Sequence, residues 1–201
     1  MRIGRHVGSR GFWLLAAGVA VLLAGCTGGG GGQSASPGAG TPSASGAASS
    51  AGTIGYFRYE NKRFKFSFEV PDGYKATTPP VDGDGQEFEG FDGAASVTGS
   101  GVNNIGSSPG TPLATPAQVL AALVSHYQSV GDTVTYKSVD GDIVAVSGST
   151  PQAKIFYQRD VVYSQAVYGF VWSYPASQKS LFTTVINYTV ATFTPGPNHG
   201  A

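Results

Sequence analysis

The pentapeptide at residues 106–110 has the residue types and spacing of a catalytic motif. It reads Gly-Ser-Ser-Pro-Gly and matches the Gly-x-Ser-x-Gly pattern around the nucleophilic serine of many hydrolases. Such a serine needs a strand before it, a helix after it, and acid and histidine partners further along the chain. Here Pro109 follows Ser108 in a Gly- and Ser-rich stretch, His126 precedes the later acids, and His199 lies near the C-terminus. We therefore expect a flexible loop here and keep a serine hydrolase only as a third hypothesis.

The main cluster of charge is acidic and consists of Asp82, Asp84, Glu87, Glu89 and Asp92. Hard cations prefer several carboxylates close together, so Asp82, Asp84 and Glu87 are candidate metal ligands. The spacing departs from that of an EF-hand loop, because its glycine position is occupied by Glu87. The alternative is a solvated acidic strand edge, since Glu87 and Glu89 alternate around an apolar residue.

Four large aromatic side chains alternate near the end of the chain, at Tyr168, Phe170, Trp172 and Tyr174. Alternation places them on one face of a strand, where they are candidates to line a groove for a lipid, a glycan or a peptide. The favoured alternative is core packing beneath the last helix. We interpret His126 as a surface or partly buried polar residue of the first helix rather than as a ligand.

Charge and cysteine content exclude several classes of function. Removal of Arg2, Arg5 and Arg10 with a cleaved leader leaves nine basic residues against twelve acidic ones, a net charge near −3. Nucleic acid is therefore not an expected partner, because phosphate binding needs a basic stripe. Cys26 is the only cysteine, so the rest of the chain has no disulfide, thiolate metal site or cysteine nucleophile. The sequence predicts no catalytic residue and no cofactor.

The first 25 residues have the pattern of a secretory signal peptide. Three arginines precede a short apolar run at residues 12–23, which is well below the about 20 residues that a spanning helix needs. The following Leu23-Ala24-Gly25-Cys26 resembles a bacterial lipobox. This resemblance implies cleavage before Cys26, lipidation of its thiol, and a location at the outer face of the cell membrane. Several acyl chains would make such an anchor durable.

The mature chain divides into a tether, a domain and a tail. Residues 26–53 follow the signal peptide with Gly, Ser, Ala, Pro and Thr and no charge, which is typical of a disordered segment. Residues 54–193 have the length of one globular domain with its own core. Residues 194–201 are expected to form a flexible tail.

Periodicity within the domain predicts an α+β fold. Alternation and turn residues predict seven strands, at residues 63–70, 86–91, 94–98, 133–139, 142–147, 154–163 and 166–174. The stretch between residues 99 and 112 is predicted to be a loop. One helix begins at Thr115-Pro116 with a capping box and ends before Gly131. A second, at residues 178–193, is predicted to turn Leu181, Val185, Tyr188 and Phe193 inward. Direct hairpin connections imply an antiparallel sheet with helices on its faces.

The run at residues 59–74, Tyr-Glu-Asn-Lys-Arg-Phe-Lys-Phe-Ser-Phe-Glu-Val-Pro-Asp-Gly-Tyr, resembles the opening of PsbP-like bacterial lipoproteins. Ser173-Tyr174-Pro175 before an amphipathic helix is similar to their close, and the export signal and layout resemble those of LpqN-like lipoproteins. The resemblance implies an α/β/α sandwich and action by binding. No functional residue transfers, because the shared positions are turn and core positions.

These observations favour a non-catalytic, lipid-anchored binding or accessory module that engages another protein of the cell envelope. The second hypothesis is a carrier of a small apolar ligand in an aromatic groove near Trp172.

Overall fold

A computed structural model describes residues 54–104 and 113–198. The predictions of a signal peptide, a lipidated Cys26, a tether and a loop at residues 106–110 therefore fall outside the described residues. Within them, neither helix has the length and apolar character needed to cross a membrane. In chain order the elements are β1 (Tyr56–Glu60), β2 (Ser67–Pro71), β3 (Lys75–Ala76), β4 (Gly85–Gly90), β5 (Ala95–Asn103), α1 (Pro116–Ser129), β6 (Thr133–Asp140), β7 (Ile143–Ser149), β8 (Lys154–Val162), β9 (Ala166–Pro175), a 3₁₀ turn (Ala176–Gln178) and α2 (Lys179–Thr192).

The strands form two antiparallel sheets. Seven strands build the larger sheet in the order β3-β4-β5-β9-β8-β7-β6, and β1 and β2 pair as a separate hairpin. Each strand pair in the described chain is antiparallel, which confirms the expectation from the hairpin connections. The α+β prediction is therefore correct.

The two helices lie on opposite faces of the large sheet. Trp172 and Tyr157 are paired across β9 and β8, so they share a face, whereas Phe156 points to the other. Trp172 contacts Phe182 of α2, with ring centroids 5.6 Å apart. Phe156 stacks on Tyr127 of α1 at 3.9 Å. The β1–β2 hairpin packs on the α2 side, and the main core lies between that layer and the sheet.

The strand predicted at residues 63–70 is wrong in its first half. Phe64 and Phe66 are buried as the alternation requires, but regular pairing begins only at Ser67. The buried Asn61 side chain accepts hydrogen bonds from the backbone N–H groups of Arg63 (3.0 Å) and Phe64 (2.7 Å) and holds a tight turn there. Local hydrogen bonding of this kind competes with a sheet ladder. The short strands β1 and β3 were not predicted.

The loop predicted at residues 99–112 is wrong for residues 99–103, because β5 continues through Asn103, and residues 105–112 lie outside the described part of the chain. Gly99 and Gly101 resemble loop residues in the sequence, but they lie where the β1–β2 side packs onto the sheet. A Cβ at Gly99 would overlap the ring of Phe68, and one at Gly101 would lie 2.8 Å from Phe64. Glycine in a strand here marks a close approach of aromatic rings to the backbone.

The predicted start of α1 is confirmed. Thr115 is the N-cap, its side chain accepts from the Gln118 N–H, and the Gln118 side chain accepts from the Thr115 N–H. The chain leaves the helix at Val130, and Gly131 follows with a φ of 89°. This left-handed residue is the expected helix stop.

The inward face predicted for α2 is partly wrong. Val185 and Phe193 are buried, but Leu181 and Tyr188 are 38% and 42% exposed. The buried face instead holds Phe182, Val185, Ile186 and Thr189. The reason is specific packing: Phe182 stacks on Tyr174 at 4.4 Å, and Trp172 Nε1 donates to Thr189 Oγ1 at 3.2 Å.

The flexible tail predicted from residue 194 is corrected for its first part. Thr194 exchanges two backbone hydrogen bonds with Ser67, at 2.9 and 2.8 Å. The Tyr168 hydroxyl donates to the Pro197 carbonyl at 2.9 Å, and Gly196 is buried against Phe64 and Tyr168. The segment is ordered because the buried ends of the β1–β2 hairpin provide partners that periodicity does not show. Residues 199–201 lie outside the description.

Candidate functional site

The four alternating aromatic residues lie in the core. Tyr168, Phe170, Trp172 and Tyr174 are between 0 and 4% exposed and pack beneath α2 and the β1–β2 hairpin. Only Tyr168 among them borders one of the two cavities described below. The structure therefore places this set where the core-packing alternative places it, with Trp172 at its centre.

The acidic candidates are only partly brought together. Asp82 and Asp84 interact electrostatically, and burial, followed by the charge of Asp82, raises the pKa of Asp84. Glu87 is on β4 and does not join them. Throughout residues 54–104 and 113–198, no three His, Cys, Asp or Glu side chains are grouped so that they could hold a metal ion.

The remaining predicted residues do not form a site in the described part of the chain. His126 lies half-buried on α1 beside Tyr127. The structure does not describe the motif at residues 106–110, Cys26 or His199.

The candidate site that does emerge is an apolar groove with a volume of about 310 Å³. This volume is at the lower end of ligand-binding pockets, which begin at about 300 Å³. Buried residues of the turn after β2 and of α2 form its floor, namely Tyr74, Phe182 and Val185. Partly exposed residues form its rim, namely Ile54, Phe91 and Leu181. Trp172 lies directly behind the floor, with its ring 5.6 Å from each of the Tyr74 and Phe182 rings.

Two chain segments are fixed at the groove by the backbone. The Asp72 N–H donates to the Gly55 carbonyl at 2.8 Å, which holds the start of the domain against the β2–β3 turn. The ring of Tyr74 covers Gly90, where a Cβ would overlap it. The entrance of the chain into the domain therefore forms one wall of the groove.

Phe91 on the rim has an unusual backbone conformation. It lies in the turn between β4 and β5 with a φ of 52°, followed by Asp92 at 53° and Gly93 at 81°. Positive φ is uncommon outside glycine and is an outlier for a bulky side chain. The Phe91 ring is nevertheless 52% exposed, and its edge contacts are with Tyr74 and Phe182 at 6.2 and 6.0 Å. Strained residues of this kind cluster at functional sites.

The Tyr74 hydroxyl gives the groove floor a polar group. The residue is 8% exposed, and among the described residues its oxygen has no hydrogen-bond partner. Burial, with a smaller contribution from Tyr56, raises the pKa of this hydroxyl, so it stays a proton donor. A buried donor without a partner costs about 1–3 kcal/mol. A ligand with an acceptor oxygen would remove that cost only by displacing the atoms that cover this hydroxyl.

A separate polar network lies on the other face of the sheet, beneath α1. The Tyr127 hydroxyl donates to Gln158 Oε1 at 2.7 Å, and Gln158 Nε2 donates to the two Asp160 oxygens at 2.9 and 3.2 Å. Asp160 is 6% exposed. Burial raises the pKa of Asp160 to about 7, and the Gln158 hydrogen bonds only partly oppose this. The sequence alternation of Gln158 and Asp160 on β8 gave no sign of burial.

With the fold and groove established, comparison with known proteins identifies the class of fold. Neither a protein-family model nor a curated protein sequence matches the chain. The chain is similar to the solution structure of cyanobacterial PsbP (CyanoP) from Synechocystis sp. PCC 6803, with a TM-score of 0.53 and 14% sequence identity. The match covers 75% of this chain and 98% of that one. The fold is therefore PsbP-like, as the resemblance implied; at this identity the similarity concerns the fold alone.

Proposed function

We propose that the protein is a lipid-anchored binding module of the bacterial cell envelope, and that it acts by binding rather than by catalysis. A lipid on Cys26 would hold it at the outer face of the cell membrane, with residues 27–53 as its tether. The predicted export signal, cysteine and tether resemble those of LpqN-like lipoproteins in layout, and the PsbP-like fold agrees with the domain part of this resemblance.

The partner in this proposal is another envelope protein, and the observation that carries it is Phe91. Phe91 raises the free energy of the free domain in two ways. Its backbone has a strained positive φ, and about half of its apolar ring is exposed to water. It stands on the rim of an apolar groove next to Ile54 and Leu181, which are also partly exposed. Aromatic residues at the edge of a pocket are typical anchors of protein interfaces.

A photo-crosslinking amino acid at position 91, introduced in the native host, tests the partner. Tyr136 on β6 is the matched control, because it is also an aromatic residue with 52% exposure. We expect position 91 to cross-link one envelope protein and position 136 not to do so. Leu181→Asp should abolish the cross-link from position 91, whereas Val139→Asp, at an exposed position on β6, should not. The same adducts from both positions, or insensitivity to Leu181→Asp, would contradict the proposal.

The anchor is tested separately with Cys26→Ser. We expect this variant to lose its lipid mass and to leave the membrane fraction, because no second acyl attachment exists once the only cysteine is removed. A variant that stays in the membrane fraction would refute the anchor while leaving the groove proposal intact.

A second candidate function is transport of a small apolar ligand in the same groove, and the Tyr74 hydroxyl favours it. The buried donor on an apolar floor suits a lipid with a carbonyl or hydroxyl oxygen near its apolar chain. Native mass spectrometry of the chain from its own host tests this directly. A carrier should show additional mass that leaves on denaturation and is reduced by Tyr74→Phe. A bare mass in both proteins would leave the envelope-protein partner as the function of the groove.

A further inference from the structure

A second cavity, which shares no lining residue with the groove, has a different chemical character. It has a volume of about 240 Å³ and lies between the turn that precedes β2, the end of β5, the β8–β9 turn and the ordered C-terminal segment. Phe64 and Tyr168 form its walls, and its polar lining comes from Arg63, Lys65, Asn103 and Gln165. The lining thus contains two cations and no carboxylate.

Hydrogen bonds fix the wall that presents the two cations. Asn61 is 3% exposed, and its Oδ1 accepts from the N–H groups of Arg63 and Phe64. Its Nδ2 donates to the Gly83 carbonyl at 3.0 Å and to the Tyr59 hydroxyl at 3.2 Å. The Lys65 N–H donates a hydrogen bond to the Asn61 carbonyl at 2.9 Å. The turn is therefore positioned before any ligand arrives, which lowers the entropic cost of binding.

The opposite walls are fixed in the same way. The Tyr168 hydroxyl donates to the Pro197 carbonyl, which holds the C-terminal segment at the cavity. The Asn104 N–H donates to the Gln165 carbonyl at 2.8 Å, and its side chain donates to the Tyr163 carbonyl at 2.9 Å. These bonds join the end of β5 to the β8–β9 turn. The backbone of the cavity walls is consequently held in place by the fold, and the exposed side chains of Arg63 and Lys65 lie at its surface.

Lys65 has the backbone strain that often accompanies a site. Its φ is 61°, a conformation in which glycine is comfortable and a residue with a Cβ is not. Among the described residues the Lys65 ammonium forms no ion pair. The ion pair found in that part of the chain joins Arg58 and Glu69. A long cationic side chain is thus held at a strained position beside a cavity without a neutralising acid in the lining.

Arg63 supplies the second cation and is only partly engaged. One Nη1 donor reaches the Asp82 carbonyl at 2.7 Å, and the guanidinium lies over the Phe64 ring at 4.9 Å. Asp84 interacts electrostatically with Arg63 and offsets part of its charge. The remaining guanidinium donors are those that match the oxygens of a phosphate group.

We propose that this cavity binds a phosphate-type oxyanion between the Lys65 ammonium and the Arg63 guanidinium. The volume lies below the about 300 Å³ at which pockets for larger ligands begin, so the ligand is the size of a headgroup or of a small phosphorylated metabolite. A dianionic group fits a lining with two cationic residues better than a monoanionic carboxylate does. The proposal does not depend on the apolar groove or on the lipid anchor.

Binding is tested with the chain from residue 26 onward carrying Cys26→Ser, by calorimetry at an ionic strength of about 0.15 M, where the Debye length is about 8 Å. The probes are inorganic phosphate and glycerol 3-phosphate. We expect saturable binding that falls about tenfold in Lys65→Gln and in Arg63→Gln, the size expected for loss of a charged hydrogen bond. The matched control is Lys62→Gln, which removes the same charge from the same turn at a position outside the cavity lining. It should change affinity by less than about twofold, because exposed charge is screened.

A third variant separates loss of the site from loss of the fold. K65G removes the ammonium and relieves the positive φ, so its Tm should equal or exceed that of the wild type while phosphate binding falls as in Lys65→Gln. No saturable binding to either probe, or equal effects of Lys62→Gln and Lys65→Gln, would overturn the proposal.

Vesicles distinguish the two sources of such a group. Phosphatidylglycerol vesicles that bind the protein in a Lys65-dependent manner, in competition with glycerol 3-phosphate, would assign the site to a lipid headgroup. Binding of the soluble probes without Lys65-dependent vesicle binding would assign it to a free phosphate compound. Vesicle binding that Lys65→Gln does not alter, without binding of the soluble probes, would refute the site.

Discussion

Replacement of the buried Asp160 by asparagine should make the protein more stable at neutral and alkaline pH. In the unfolded chain this carboxyl ionises near its ordinary pKa of 3.8, whereas burial in the fold raises its pKa to about 7. Between these values the unfolded state releases a proton that the folded state keeps. Stability from this group is therefore complete below pH 3.8 and is lost as the pH rises to 7.

The magnitude follows from the two pKa values. At about 1.36 kcal/mol for each pH unit between them, the ionised carboxylate costs the fold about 4 kcal/mol above pH 7. About two of those pH units lie above pH 5. The free energy of unfolding of Asp160→Asn should therefore exceed that of the wild type by an amount that grows by about 3 kcal/mol from pH 5 to pH 8. Asparagine keeps an oxygen that can accept from Gln158 Nε2, so the network loses little else.

Guanidinium unfolding of both proteins at pH 5, 6, 7 and 8 measures this difference. Asp84 and Asp132 also have raised pKa values, chiefly through burial, but they are present in both proteins and cancel in the comparison. Asp140→Asn, at an exposed carboxylate of the β6–β7 hairpin, is the matched control for the removal of one negative charge. If the difference for Asp160→Asn stayed constant within about 0.5 kcal/mol over this pH range, burial would not set the ionisation of Asp160.

Three further substitutions test the groove, the close contacts and the cap. Tyr74→Phe removes a buried hydroxyl without a partner and should raise the free energy of unfolding by about 1 kcal/mol; a loss of similar size would show that the hydroxyl has a partner. Gly99→Ala should lower it by about 2 kcal/mol, because the new Cβ overlaps the Phe68 ring, whereas Ser100→Ala, on the opposite face of β5, should change it by less than about 0.5 kcal/mol. Thr115→Ala should cost about 1 kcal/mol by loss of the α1 cap, and an unchanged denaturation midpoint would show that the capping box contributes nothing.

The apolar groove shows why the lining residues of the candidate site could not be predicted from the sequence. The hypothesis was a groove lined by Tyr168, Phe170, Trp172 and Tyr174, and all four are absent from the lining of the groove that the structure contains. Trp172 lies behind its floor, in contact with Tyr74 and Phe182. Alternation identifies residues on a common strand face and does not distinguish a face that meets a cavity from one that meets a helix. The lining residues come from the turn after β2, the β4–β5 turn and α2, which are distant in the chain.

The error in the face of α2 has a similar origin. Leu181 and Tyr188 are apolar enough for the core, and helical spacing alone permits them to point inward. The rotation of the helix was decided by the Phe182–Tyr174 stack and by the hydrogen bond of Trp172 to Thr189, a polar residue that is fully buried. A buried indole N–H needs a hydrogen-bond acceptor, so the fold is more stable with the Thr189 hydroxyl in the core than at the surface. The indole belongs to β9, so the sequence of α2 alone does not show this.

By itself the sequence determined the local structure of this protein: the capped start of α1, the β6–β7 and β8–β9 hairpins and, through them, the antiparallel α+β class. These depend on residues within a few positions of one another, so their physics is contained in short segments. Only the tertiary structure decided that Gly99 belongs to a strand, that Asp160 is buried, that Phe91 stands at a groove, and that Lys65 borders a cavity lined by cations. Each of these depends on side chains from elements far apart in the chain, and a short segment of sequence contains no information about which surfaces will meet.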